Sequence, residues 1–320
     1  MSKKTEGILY AVLSAIIYGF TPILARIAYD GGANGITVAF LRGAIPLPLL
    51  FVVLRSKKIS LRLGSGLKPF LWVSMLGLSL TTILLYMSYS YISVGMATTL
   101  HFVYPVLVSL ACAIFFKEKI NLCKIIALIL CSGGIGLFMD QLTSSGGLGI
   151  VLAILSGGTY TLYLICIDKS GLKDIHYLQL TFYLNVGLSV IAGVFGAATG
   201  KLNLLLSPMA WALCTLVALF TTLGALPLLQ QGIKLTGAST AAILSTLEPI
   251  TSVILGILIL SEKVSTIKLV GCVFIIVSIL LITLSESDTV FFKNTAGKIK
   301  SDESQEEMDC LSGTIENHNK

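Results

Sequence analysis

The sequence predicts an all-α polytopic membrane protein whose ten transmembrane helices form two inverted five-helix repeats. Three observations carry that expectation. Of 320 residues, 55% are hydrophobic and only 12% are charged, where soluble domains hold about 25% charged residues. The apolar residues gather into runs of roughly 20, the length that crosses about 30 Å of hydrocarbon as a helix. The second half of the chain also repeats the order of the first.

The runs fall at 7–27, 35–54, 69–89, 96–116, 122–140, 149–167, 177–198, 209–230, 239–260 and 266–285. Membrane strands would alternate over about ten residues, and these runs do not. Lys3 and Lys4 precede the first run as in a signal peptide, but the run is long and lacks a clear A-x-A cleavage site, so it reads as a retained helix. The organisation expected is a cytosolic N-terminus (1–6), a first repeat (7–140), a connecting loop (141–148), a second repeat (149–285) and a polar, disordered cytosolic tail (286–320). Five of the seven cysteines lie within spans and no C-x-x-C occurs, which assigns them to packing rather than to disulfides or metal.

Lys and Arg set the orientation. With the N-terminus inside, the cytosolic connections hold Arg55, Lys57, Lys58, Arg62, Lys68, Lys117, Lys119, Lys124, Lys169, Lys173 and Lys234, while the other side holds Arg26, Lys201, Lys263 and Lys268. Both termini are therefore expected in the cytosol of a multi-pass cytoplasmic-membrane protein. The formal charge of +6 reflects this topology. The partners expected are the lipid bilayer and a small molecule, with no nucleic acid and no cofactor.

The repeat is legible residue by residue. TTLHFVYPVLVSLACAIFFKEK (98–119) lies over AILSTLEPITSVILGILILSEK (242–263): Pro105 meets Pro249, Glu118 meets Glu262 and Lys119 meets Lys263, all 144 apart. Earlier in each half the spacing is 142, with Gly7/Gly149, Ala11/Ala153, Ser14/Ser156 and Tyr18/Tyr160. Five spans per half is an odd number, so the second half enters the membrane upside down. Such inverted repeats are the frame of secondary transporters, whose binding sites lie near the midplane between the halves.

The five-plus-five arrangement, YGFTPILAR (Tyr18 to Arg26), FLR (Phe40 to Arg42) and the twin proline segments resemble the EamA-type carriers of the drug/metabolite transporter superfamily over 7–285. Tyr18 stands where that family often has Trp before the helix-1 glycine. The resemblance implies movement of amino acids and related metabolites, more often outward than inward.

Within the spans, two charges remain once helix-end residues are set aside: Arg42 and Glu248. Glu248 lies about 14 Å and Arg42 about 10 Å into its span, at 1.5 Å per residue. Intramembrane charges face the bundle interior or a wet cavity and mark solute or proton paths. The competing reading is a structural ion pair. Pro105 and Pro249 break helices at corresponding places, which points to a binding region, although tolerated kinks also look this way. Tyr104 and Glu248 precede the two prolines, so the frame is symmetric and the site is not. Tyr18, Tyr104 and His101 are candidates for the cavity wall. Glu248 and His101 are candidates for carrying a coupling proton, and a hydrogen-bonded interior ring is the plainer role for the histidine. Tyr86, Tyr89 and Tyr91 read as an interfacial belt or, alternatively, as cavity wall. Asn185, Gln230 and Gln231 are further possible solute contacts.

No P-loop, H-E-x-x-H, G-x-S-x-G or selectivity-filter sequence occurs, which argues against an ATP pump, a membrane hydrolase and a channel. The expectation is a non-enzymatic carrier, with no metal, that exports an amino acid or amino-acid metabolite, in one form coupled to protons. An importer or exchanger of a vitamin- or nucleoside-like solute is the alternative. A membrane sensor or enzyme on the same scaffold is a more distant one.

Overall fold

The computed structural model describes residues 2–92, 94–118, 122–137 and 147–260, and in the last apolar stretch 266–267, 270–271, 273–278 and 281. Lys119, most of the connecting loop (141–146), the Glu262-Lys263 pair, Lys268, Cys272 and the tail from 286 lie outside the described residues.

Among the described residues every regular element is helical: α1 (Lys3–Asp30), α2 (Gly35–Ala44), α3 (Leu47–Ser56), α4 (Lys68–Ser88), α5 (Val94–His101), α6 (Tyr104–Phe116), α7 (Leu122–Gly136), α8 (Gly147–Lys169), α9 (Tyr177–Ala198), α10 (Pro208–Leu219), α11 (Leu226–Thr236), α12 (Ala238–Leu244) and α13 (Leu247–Leu260). Six stretches are long and apolar enough to cross a membrane on their own: Lys3–Asp30, Gly35–Ser56, Ser65–Ser88, Gly147–Lys169, Tyr177–Ala198 and Pro208–Thr236. Only 44–56% of each stretch's most apolar window is buried inside the protein. The outward faces carry Trp72, Ile114, Phe115 and Leu162, each more than half exposed. Apolar surface on that scale is unsuited to water and suited to lipid.

The sequence runs 96–116 and 239–260 are each divided, α5 from α6 and α12 from α13. The cause is proline, which has no N–H to give the carbonyl four residues back. At Pro105 that carbonyl belongs to His101, and Gly157 of α8 packs so closely on it that a Cβ there would come within 2.7 Å. At Pro249 it belongs to Ser245, which instead accepts the Glu248 N–H at 3.0 Å. Pro46 divides α2 from α3 in the same way, and Pro22 lies within α1. Between α10 and α11 the backbone widens into a π-turn, Phe220–Ala225, just before Pro227. The wider turn gives the proline ring room, and Ser14 of α1 donates to the Ala225 carbonyl at 2.8 Å.

Helix caps lie at the ends of the spans. Asn34 accepts the N–H groups of Ile36 and Thr37 at the start of α2, and Ser207 accepts that of Ala210 at the start of α10. Two opposite ends of the bundle follow from these contacts. At one, Asn34 donates to the Lys201 carbonyl and Asn203 to the Gly32 carbonyl, both at 2.8 Å. At the other, Gln179 donates to the Arg62 carbonyl at 3.1 Å, and Lys169 pairs with Glu118. Lengthwise, α4 packs along α8, α2 along α9, and α1 along α11 and α13.

Candidate functional site

A cavity of about 50 Å³ lies among α1, α2, α4, α5, α8 and α13. It has room for a few waters. Four of the five side chains expected at a site line it: Tyr18, Arg42, His101 and Glu248. The fifth, Tyr104, is 1% exposed and sits one layer behind, with its ring 5.1 Å from that of His101 and 4.8 Å from that of Tyr160.

Two glycines explain how the helices bring these groups together. Gly19 follows Tyr18, and a Cβ there would meet Thr251 Cβ at 2.5 Å, so α1 and α13 touch backbone to side chain. Gly43 follows Arg42, and a Cβ there would fall 2.7 Å from the Ser189 nitrogen, so α2 lies against the backbone of α9. With no hydrophobic drive between helices in lipid, such close approach is what holds them.

Arg42 occupies the last turn of α2, where its charge suits the helix C-terminus. Its guanidinium carbon stands 5.7 Å from the centre of the Tyr18 ring, in cation–π range. Glu248 enters from the first turn of α13, where a negative charge suits the N-terminus. Among the described residues neither charge makes an ion pair within 4.0 Å, although both face one cavity. The cavity wall thus carries one cationic and one anionic side chain.

The rest of the wall came less directly from the sequence. Tyr86 and Tyr89, whose rings lie 5.7 Å apart edge to face, line the cavity rather than serving only an interfacial belt. Thr81 and Thr82 also line it, with hydroxyls bonded back to the Gly77 and Leu78 carbonyls at 2.7 and 2.9 Å. Tyr160 was signalled by the repeat, since it is the counterpart of Tyr18, and both lie on the wall. Asn185 and Gln230 are off the cavity. Asn185 accepts from Thr222 at 3.0 Å, and Gln230 accepts from Thr181 at 3.4 Å. Every α4 residue of the wall belongs to the half of that helix leading away from Arg62 and Lys68, and Tyr18 to Pro22 lie in the far half of α1. The cavity thus leans toward the Asn34–Lys201 end.

The opposite end carries a cluster of ion pairs. Asp168, only 3% exposed, has Lys169 Nζ 2.9 Å from Oδ2 and Lys173 Nζ 2.9 Å from Oδ1. Lys169 also pairs with Glu118 and lies 5.5 Å from the centre of the Phe116 ring. The cluster joins the end of α6 to the end of α8. Asp168 lies just past the sequence run 149–167 and is buried, and its position beside Lys169 was the available signal.

Comparison with known proteins agrees with this architecture. A 28% identical relative, the uncharacterized transporter sll1319 of Synechocystis sp., aligns over 90% of this chain and 96% of its own. The uncharacterized transporter YcbK of Bacillus subtilis is 22% identical over 84% of this chain and 90% of its own. A crystal structure with 13% identity superposes with a TM-score of 0.75, covering 88% of this chain and 98% of the other, which is a likeness of fold. The model of the EamA-like transporter family matches twice, at residues 5–139 and 147–284. With nearly all of its membrane-embedded length inside those two matches, this chain belongs to the EamA-like transporter family.

Proposed function

We propose that the protein is a secondary carrier that exports an amino acid or amino-acid metabolite by alternating access. The observation that carries this reading is the pair Arg42 and Glu248, opposite charges facing one aromatic cavity without touching. A zwitterion would bridge them, its carboxylate on Arg42 and its ammonium toward Glu248, with Tyr18 and Tyr160 covering its body. Glu248 is also the group proposed to carry a coupling proton, which a bound ammonium would displace.

The frame proposed is ten spans in two inverted repeats with both termini in the cytosol. The twin family matches support the repeat, and the corresponding helix breaks before Pro105 and Pro249 support a hinge region in each half. The excess of Lys and Arg at the Arg62–Lys169 end supports a cytosolic location for that end. A cavity leaning the other way, over a charge-locked cytosolic end, suits the outward-leaning half of a transport cycle.

The test is flux in liposomes with a labelled panel of amino acids and metabolites, with and without an imposed proton gradient. Saturable uptake is expected, and Glu248→Gln should lower it about tenfold or more at unchanged incorporation, as for loss of a charged contact. Full activity of Glu248→Gln at every pH would remove this residue from the mechanism.

A further inference from the structure

We infer that His101 is a fixed hydrogen-bond acceptor for the solute, and that Ser156 is the positioning residue that makes it one. This rests on the carrier reading and narrows it to solutes with an N–H or O–H donor at that corner of the cavity.

The Ser156 hydroxyl lies 2.6 Å from the Ala153 carbonyl and 2.9 Å from His101 Nδ1. A hydroxyl has one proton and a carbonyl offers only lone pairs, so at 2.6 Å the proton lies between the two oxygens. Ser156 therefore meets the imidazole with a lone pair, and His101 answers with an Nδ1–H. In the neutral ring Nε2 is then bare, an acceptor. Arg42 already supplies the positive charge of this cavity.

The ring has little freedom to rearrange. Ser156 is fully buried, and Tyr104 and Tyr160 hold the imidazole at ring-centre distances of 5.1 and 5.3 Å. Gly157, next to Ser156, presses on the His101 carbonyl. What remains of His101, 6% exposed, faces the cavity that it lines. With Nδ1 engaged behind, Nε2 is the edge presented to a ligand. The flanking tyrosine faces favour an N–H or ammonium there. His101 thus receives a donor and does not relay a proton.

The experiment has two readouts on the full chain. The first is the ¹⁵N spectrum of histidine-labelled protein in lipid nanodiscs near neutral pH, with the three histidines assigned by H101Q and H176Q. His176 is an internal contrast, because its Nδ1 accepts the Leu178 N–H at 3.2 Å and its proton must sit on Nε2. His101 should show the opposite form, and Ser156→Ala should abolish that preference. A His101 protonated on Nε2, singly or doubly, overturns the proposal.

The second readout is liposome flux of the solutes that the unaltered chain carries. His101→Gln, which sets an amide oxygen near the place of Nε2, should stay within about threefold, while His101→Leu should lose about tenfold, as for an unmatched donor. Equal flux through His101→Leu also overturns the proposal. A chain that moves nothing on the panel sinks the carrier reading and the solute contact with it, while the spectrum independently decides the tautomer.

Discussion

Arg42 combines two properties that a lysine does not. Its planar guanidinium lies over the Tyr18 ring, 5.7 Å from the ring centre, and bears a forked set of donors of the kind that matches a carboxylate. A lysine ammonium would keep the charge and lose the fork and the stacking. Arg42→Lys should therefore lower initial rates of liposome uptake about tenfold at matched incorporation; rates equal to the parent chain would show that charge alone is used. That this residue would face the bundle interior was legible in the sequence, because a charge within an apolar run demands a reason. The place of Tyr86 and Tyr89 on the cavity wall was half visible. An aromatic near a span's end serves a belt and a cavity wall equally well, and only the packing of α4 chooses between them. Tyr160 was readable through its repeat partner Tyr18. Tyr104 holds the place of Glu248 beside its proline and was a candidate for the wall, but it packs behind the wall against the His101 ring.

Helices around the cavity are shaped by their prolines. Tyr18, Arg42 and His101 each stand four residues before one, Pro22, Pro46 and Pro105, so each has a carbonyl without its helical N–H. The Tyr18 carbonyl takes the Thr21 hydroxyl at 2.8 Å instead. Breaks of this kind were legible in the sequence as prolines inside apolar runs. That three of the runs would divide fully, at 45–46, 102–103 and 245–246, was not, because a single proline is often absorbed as a bend. The π-turn at Phe220–Ala225 had no signal beyond Pro227. Close helix contacts yield a prediction at this scale. Gly19→Ala would force a methyl to within 2.5 Å of Thr251 Cβ, whereas Gly158→Ala meets nothing within 4 Å. Overpacking of this sort costs about 1–3 kcal/mol. Thermal unfolding in detergent, followed by size-exclusion fluorescence, should show a lower midpoint for Gly19→Ala and none for Gly158→Ala; matching midpoints would mean that α1 and α13 shift apart freely.

For the molecule as a whole, the ion cluster of Glu118, Asp168, Lys169 and Lys173 ties the end of α6 to the end of α8. If this clasp keeps its end shut, Glu118→Gln should open it. The reading is maleimide labelling of a cysteine placed at the cavity residue Thr81, in a cysteine-free background, from the side that bears Lys169. Labelling should rise several-fold with Glu118→Gln. No change would leave closure to packing alone. The long apolar runs gave the membrane architecture because chain length and hydrocarbon thickness leave few alternatives. They could not give the clasp, whose members lie at span ends where charge is ordinary. The offset of the cavity also has an electrical meaning. Once water reaches it from the Asn34–Lys201 end, most of the voltage across the bilayer falls over the remaining half. A zwitterion crossing that half carries no net charge, so its flux should ignore membrane potential, whereas each proton carried with it would feel about 2.3 kcal/mol per 100 mV. For a zwitterionic solute, voltage dependence would therefore count the charge that travels beside it.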